Sequence, residues 1–348
     1  MSEVTLHARG KTFGGWQTVE VKRSMEALAS DFSVGYAEKW DPDADPSIIC
    51  GGDTVIVKVD GDVVISGYVD EDGTDYDATS HTLNVNGRSK TGDLVDCSVL
   101  TPPTEWNNTD LLHICQAVCK PFGISASLVT FGGPAFEKFA VQPGETAFEC
   151  LNRAARQRGN MLFTTPAGNL QIIRSTAAPR IKTVLELGVN VLRGSRRTNV
   201  RERHSQYIAF AQVPGTDQSF GSSVNEQKRT TNDAGVKRYR PLVIMSESPD
   251  ANDLQQRVNW ERNTRQGRCR RLTYTVQGWR HDAGVWSPNT VARVKDYIAR
   301  VDSDWLIVTV RLLKGEEGET TELELAGVHA FDVEPWVEKA NPAEVYPS

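Results

Sequence analysis

No stretch of this 348-residue chain approaches the roughly 18 consecutive apolar residues that a membrane helix needs. The opening MSEVTLHARG has no basic segment followed by an apolar one, so a classical signal peptide is not expected, and cytoplasmic synthesis without stable membrane association is. Histidines are scarce: His7, His81, His113, His204, His281 and His329 include no pair at HxxxH or HxH spacing, which removes the zinc-peptidase signatures. No GxSxG elbow surrounds a serine. The glycines at 14, 15, 51 and 52 lack the GxxxxGK[ST] or GxGxxG arrangement that cradles phosphates. Cysteine is limited to Cys50, Cys97, Cys115, Cys119, Cys150 and Cys269. Cys115 and Cys119 stand four apart on one helical face, but no second pair completes a metal site, so reduced, buried thiols are expected.

Carboxylates give no better case for catalysis. DEDGTDYD, Asp70 to Asp77, misses the spacing of a calcium loop and reads as a solvated β-turn, while Asp41, Asp43 and Asp45 in DPDADP sit in a proline-rich exposed loop. Glu145 and Glu149 share a helical side, but both are accounted for by a helix start. The expectation is a protein that is not an enzyme, with no catalytic, cofactor-binding or metal residues and no cofactor.

What the chain does have is 39% hydrophobic residues, enough for packed cores in two or three domains, and a marked charge asymmetry. Residues 1 to 100 hold 18 Asp/Glu against 8 Lys/Arg, and residues 181 to 280 hold 18 Lys/Arg against 9 Asp/Glu. Opposed fields of this kind suit contact between the two regions, within a chain or between identical subunits. The basic residues are not interleaved with aromatics as a single-strand nucleic-acid groove requires. For the eight tryptophans, Trp16, Trp40, Trp106, Trp260, Trp279, Trp286, Trp305 and Trp336, core packing is the first expectation and subunit anchoring the second.

Residues 1–98 read as short strands joined by tight turns, with DTVIVKVDGDVVISGYVDED a hairpin about Asp60-Gly61. Residues 101–178 read as a compact α/β insert. Thr109 or Asp110 caps a helix ended by Pro121 and Gly123, and Thr146 with Glu149 forms a capping box on a helix stopped at Gly159. Residues 179–335 form a second β-rich unit with a long loop over 214–235, a helix over 250–266 and an acidic hairpin after WLIVTVRLLK; residues 336–348 are a tail. Trp286 and Pro288 open its late strand pair, with Trp286 expected to pack at its mouth or rim and Pro288 to close the entry turn. The class is α+β, predominantly β, in the order β unit, α/β insert, β unit. Two β units of similar size suggest an internal repeat that sequence identity does not reveal.

Several stretches in this order, NVNGRSKTGDLVDCS (84–98), TDLLHICQAVCKPFGI (109–124), FAVQPGETAFECLNRAARQRGNMLFTTPAGNLQI (139–172), HSQYIAFAQ (204–212) and WSPNTVARVKD (286–296), resemble the baseplate hub proteins of Mu-type contractile phage tails, over essentially the whole chain. The resemblance implies a homotrimer with two tube-protein-like β-barrel domains per chain, forming a pseudo-sixfold ring around a channel. It implies tail-tube or tube-adapter proteins above, a trimeric membrane-piercing spike below, transient passage of phage DNA without sequence-specific binding, and location in the virion baseplate after assembly in the host cytoplasm. Two rivals are a tail-associated peptidoglycan hydrolase, which needs an active site, and a secretion-system spike hub of related β architecture.

Overall fold

The computed structural model describes residues 3–37, 49–76, 81–100, 102–174, 178–211, 227–245, 251–315 and 318–332. Alternation of valine and isoleucine with polar residues makes Thr54–Val59 and Asp62–Tyr76 an antiparallel pair, and the turn between them has positive φ at both Asp60 (50°) and Gly61 (86°). That is the type I′ geometry expected of Asp-Gly, whose twist matches the strands it joins. DEDGTDYD differs from its reading as a turn: residues 70 to 76 are the far half of the 15-residue strand Asp62–Tyr76, paired along His81–Ser89. Both faces of this half are open to solvent, so backbone pairing holds the strand without apolar alternation.

The main sheet contains thirteen strands among the described residues. From one edge the order is Val191–Thr198, Arg270–Gln277, Gly318–Ala326, Val301–Gly315, Thr18–Ser24, Asp31–Ala37, His81–Ser89, Asp62–Tyr76, Thr54–Val59, Val4–Ala8 and Lys11–Phe13, with Thr290–Asp296 and then Arg180–Glu186 branching from Val301–Gly315. Of the two β-barrel domains implied by the resemblance, the predominantly β, α+β class is seen, while among the described residues the strand pairing closes no barrel. Val301–Gly315 pairs directly with Thr18–Ser24 and joins both β units in one sheet over one apolar core. Val21, Phe32 and Val57 share that core with Leu272, Trp279 and Leu323.

The topology contains the repeat that sequence identity hides. In the first unit Thr54–Val59, Asp62–Tyr76 and His81–Ser89 are successive antiparallel neighbours, followed across the sheet by Asp31–Ala37 and Thr18–Ser24. In the second, Thr290–Asp296, Val301–Gly315 and Gly318–Ala326 are followed by Arg270–Gln277 and Val191–Thr198 in the same order. Both long strands have 15 residues and shift register once against the following strand, between Val69 and Glu71 and between Ile307 and Thr309. The units differ at the outer neighbour, which is antiparallel in the first and parallel in the second.

Residues 91–174 have their own core around the helices Leu111–Cys119 and Ala147–Gln157. Asp110 is the first helix's cap, accepting from the His113 amide at 2.8 Å, and Thr146 with Glu149 completes the capping box of the second. A buried hydroxyl cluster joins this insert to the sheet: Thr164 donates to the Leu28 carbonyl at 2.6 Å, and Thr91 lies 2.9 Å from Thr164 and 2.8 Å from Ser89. Met25, Phe163, Ile173, Leu306 and Val308 close the same joint with apolar contact.

The loop expected over 214–235 is also corrected in part. Gln227–Asn232 is a strand, and with Gln206–Ala211 and Pro241–Met245 it makes a small separate sheet; residues 212–226 lie outside the described residues. The helix Ala251–Arg268 packs on this sheet through Leu254 and Val258 against Tyr207 and Ala209. Trp286 is buried in the main core and packs against His281, while Trp40, Trp336, DPDADP and the 336–348 tail lie outside the described residues.

Candidate assembly surface

From Val191–Thr198 to Asp62–Tyr76, eight consecutive strands alternate in direction, and their register assigns every residue to one of two faces. One face is the core, with Leu272, Tyr274, Leu323, Leu312, Val21 and Val34 all buried. The other is mostly polar, with Leu313 on it opposite Glu20 and Leu306 beside Ala326. Its cations are Arg193, Arg197, Arg271, Arg311, Lys22 and Arg88, and its anions are Glu322, Glu324, Glu20, Asp31, Glu71 and Asp75, so the two signs balance.

Some of these charges are in contact. The Arg311 guanidinium lies 2.8 Å from Glu20 and 3.1 Å from Glu322, tying three strands across the junction of the two units. Lys22 stands 3.9 Å from Asp31, whose carboxyl is pushed upward by burial while Lys22 and Arg311 pull it the other way. Arg88 bridges Asp70 at 2.6 Å and Asp96 at 2.7 Å.

The basic excess of residues 181–280 mostly lies elsewhere: three of its 18 Lys/Arg, namely Arg193, Arg197 and Arg271, are on this face. Others are held by protein partners, as in Arg203 with Asp233 (2.7 Å), Arg265 with Glu261 (2.8 Å), Arg268 on the Ala330 carbonyl (2.7 Å) and Arg280 with Asp62 (2.7 Å).

The edges of this eight-strand span are exposed. In Val191–Thr198 every residue from Leu192 onward is open to solvent, and at the other end so are Glu71, Asp72, Thr74 and Asp75. Sequence reading singled out the charge windows but not this face. Its signal is present in TVEVKRS, HTLNVNGRS, RRLTYTVQ and GETTELELA, where apolar residues alternate with charged or hydroxyl-bearing ones at period two.

The groups weighed for chemistry are occupied structurally. Glu145 accepts two hydrogen bonds from Arg153, at 2.7 and 2.8 Å, and this pairing lowers its pKa; Glu149 belongs to the capping box. Cys115, Cys119 and Cys150 are buried, and burial pushes Cys119 up to about 12, Cys150 up to about 11 and Cys115 well above the ordinary thiol value. Thiols so shifted are protonated at neutral pH and serve poorly as nucleophiles or ligands. Cys97 is exposed and Cys50 half-buried, contrary to the expectation that all six are buried, while no cysteine is paired in a disulfide. Among the described residues no group of three or more His, Cys, Asp or Glu is arranged to hold a metal, and no helix is long and apolar enough to cross a membrane.

Family models match three consecutive parts of the chain: Mu phage baseplate assembly protein GpP-like, N-terminal, over residues 3–89; baseplate hub protein gp44-like, second domain, over 91–174; and Mu phage baseplate assembly protein GpP, fourth domain, over 250–334. The baseplate hub protein gp44 of Escherichia phage Mu is 31% identical over 339 residues, covering 94% of this chain and 88% of that protein. The 43 kDa tail protein of prophage MuSo2 from Shewanella oneidensis superimposes with a TM-score of 0.83 at 33% identity, over 95% of this chain and 100% of that one. A tail protein from Neisseria meningitidis MC58 shares the fold at 0.77 and 22% identity, over 96% and 99%. The E. coli c3393 protein, a type VI secretion component, shares the fold at 0.54 and 10% identity, over 95% and 79%. The chain belongs to the Mu-type baseplate hub protein family and is a hub protein of a Mu-like contractile tail.

Proposed function

We propose that this hub works as a passive mechanical adapter: three copies form a ring whose six β units surround a channel, joining a sixfold tail tube above to a threefold spike below. The observation that carries this reading is the topological repeat, since a chain with two like-ordered units presents six related positions in a trimer. The units correspond to residues 1–98 and 179–335, and the 101–178 insert sits at the periphery.

The polar face of the eight-strand span lines the channel in this arrangement. A passage for DNA works best when phosphates find no continuous basic wall, because each contact neutralised by Lys or Arg adds salt-dependent affinity. Here the six cations on the face are equalled in number by six anions on the same face, and Arg311 is held between two carboxylates. Paired ladders give the wall resistance to shear during sheath contraction, with the spike leaving ahead of the genome. The protein acts in the virion baseplate after assembly in the host cytoplasm. A secretion-system role is less well supported, given 10% identity to the type VI component against 31% to the phage Mu hub.

The test is co-expression of the full chain with the tube and spike proteins of its own tail, followed by native mass measurement. Three hub chains bound per spike trimer are expected. A hub that binds neither protein, or cell-wall hydrolysis by the purified chain in a zymogram, overturns the adapter reading.

A further inference from the structure

A buried cation stands where the main sheet branches, and the chain supplies no charge to neutralise it. Val301–Gly315 pairs with Thr290–Asp296 as far as Ile307 and with Thr18–Ser24 from Thr309 onward. Between these pairings the Asn289 amide donates to the Ile307 carbonyl and the Met25 amide to the Val308 carbonyl, each at 2.9 Å, so the two partner strands part beside the register shift that separates Ile307 from Thr309. Register puts Arg23 opposite Val310, on the core face with Val19 and Val21, where period-two alternation calls for an apolar side chain. An arginine occupies the position instead, and it is only 6% exposed.

Among the described residues, the hydrogen bonding of this guanidinium consists of one contact, from Nη1 to Ser287 Oγ at 3.3 Å, although the group carries five N–H donors. No neighbouring acid acts on it. Burial alone pulls its pKa down to about 10, which still leaves it charged at neutral pH. Trp286, beside Ser287 in the chain, adds a second buried donor without an acceptor at its Nε1. A buried charge without a counter-charge is strongly destabilising, whereas a charge carrying its counter-ion and hydrogen bonds is not.

We propose that Arg23 and Ser287 hold a small monovalent inorganic anion of the halide class at the branch between the two units. Charge selects the class, because one guanidinium with no acid beside it is neutralised by a single negative charge. Chemistry agrees: the guanidinium offers only donors, and the Ser287 hydroxyl, whose hydrogen is directed at the Pro288 carbonyl at a long 3.4 Å, can turn to offer another. Size agrees as well, since the residual opening at Arg23 suits an ion of one atom, and a carboxylate on another chain would have to part the strands to reach it. The ion would brace the point where Val301–Gly315 exchanges a strand of its own unit for a strand of the other, a role within one chain that does not depend on how chains assemble.

The experiment follows urea unfolding of the full chain while sodium bromide replaces sodium gluconate at constant ionic strength, and locates bromide in crystals of the same protein by its anomalous scattering. Well above the dissociation constant, the folded-to-unfolded ratio is expected to rise about tenfold for each tenfold increase in bromide, as for one site on the folded state. Arg23→Met is expected to abolish that rise and Ser287→Ala to move it to higher bromide, with an anomalous peak against the Arg23 guanidinium in the wild type. If Arg23→Met does not fold, the peak and the Ser287→Ala shift decide. A ratio indifferent to bromide, an equal response in Arg23→Met, a peak without any stability response, which is an adventitious ion only, or a neighbouring chain's carboxylate on Arg23 in place of the ion overturns the proposal.

Discussion

In the core of the second unit, buried polar groups have complete partners. Tyr274 donates to Asp296 Oδ2 at 2.9 Å inside the core, and Asp296 Oδ1 accepts from the Ala299 amide at 2.8 Å. Burial, followed by this carboxylate, drives the Tyr274 phenol well above its ordinary pKa, so it stays a donor at any working pH. Tyr274→Phe removes the donor, while Asp296→Ala strands both a hydroxyl and an amide in the interior. Asp296→Ala should therefore be the more damaging, costing at least about 2–3 kcal/mol against about 1 kcal/mol for Tyr274→Phe, as read by urea unfolding. In the insert, Glu145 has its pKa lowered by Arg153, so its contribution is full above the ordinary carboxylate range and is lost as pH falls through the lowered value. Glu145→Gln should be less stable than the wild type at pH 7, with the gap closing below about pH 4. An unchanged gap at pH 3 would refute the linkage.

At the scale of elements, local signals were legible where the chain solves a local problem. Asp60-Gly61 marks its hairpin because few dipeptides tolerate two positive φ values, and Thr146 with Glu149 marks a helix start because the two groups satisfy each other's amides. The strand at 70–76 was not legible: with both faces in solvent its residues are selected by neither core, and DEDGTDYD looks like a turn. The fusion of the two units was hidden for a different reason, since Thr309 meets Ser24 through pairing that no local window contains. The polar face lay in between, readable as alternation strand by strand but recognisable as one surface only once register was known. Close strand approach gives a test here. A Cβ on Gly67 would stand 1.8 Å from the Arg88 carbonyl oxygen and 2.6 Å from the Ser89 Cα, so Gly67→Ala must push Asp62–Tyr76 off His81–Ser89. It should destabilise by about 3 kcal/mol or prevent folding, whereas Thr146→Ala, which removes only a cap, should cost about 1 kcal/mol in thermal or urea unfolding.

Across the whole molecule, the charge asymmetry of the sequence resolves into two uses. Most of the basic residues of 181–280 lie off the eight-strand face, and several are neutralised within the second unit and its small flanking sheet; the remainder on the polar face is matched by acids. This predicts weak retention of duplex DNA by the wild-type ring. Replacing Glu20, Glu322 and Glu324 by Gln leaves Arg311 and its neighbours uncompensated, and should tighten DNA binding with a steeper salt dependence, by about 0.9 in logarithmic slope for each phosphate newly contacted. Unchanged binding in that variant would mean that the face does not meet DNA. The most direct measurement of the central claim is an electron cryo-microscopy map of the purified full chain at side-chain resolution. The account predicts a threefold ring of six β units with Arg311, Glu20 and Glu322 facing the lumen. A ring carrying that triad on its outer wall, or particles of a single chain, would contradict it.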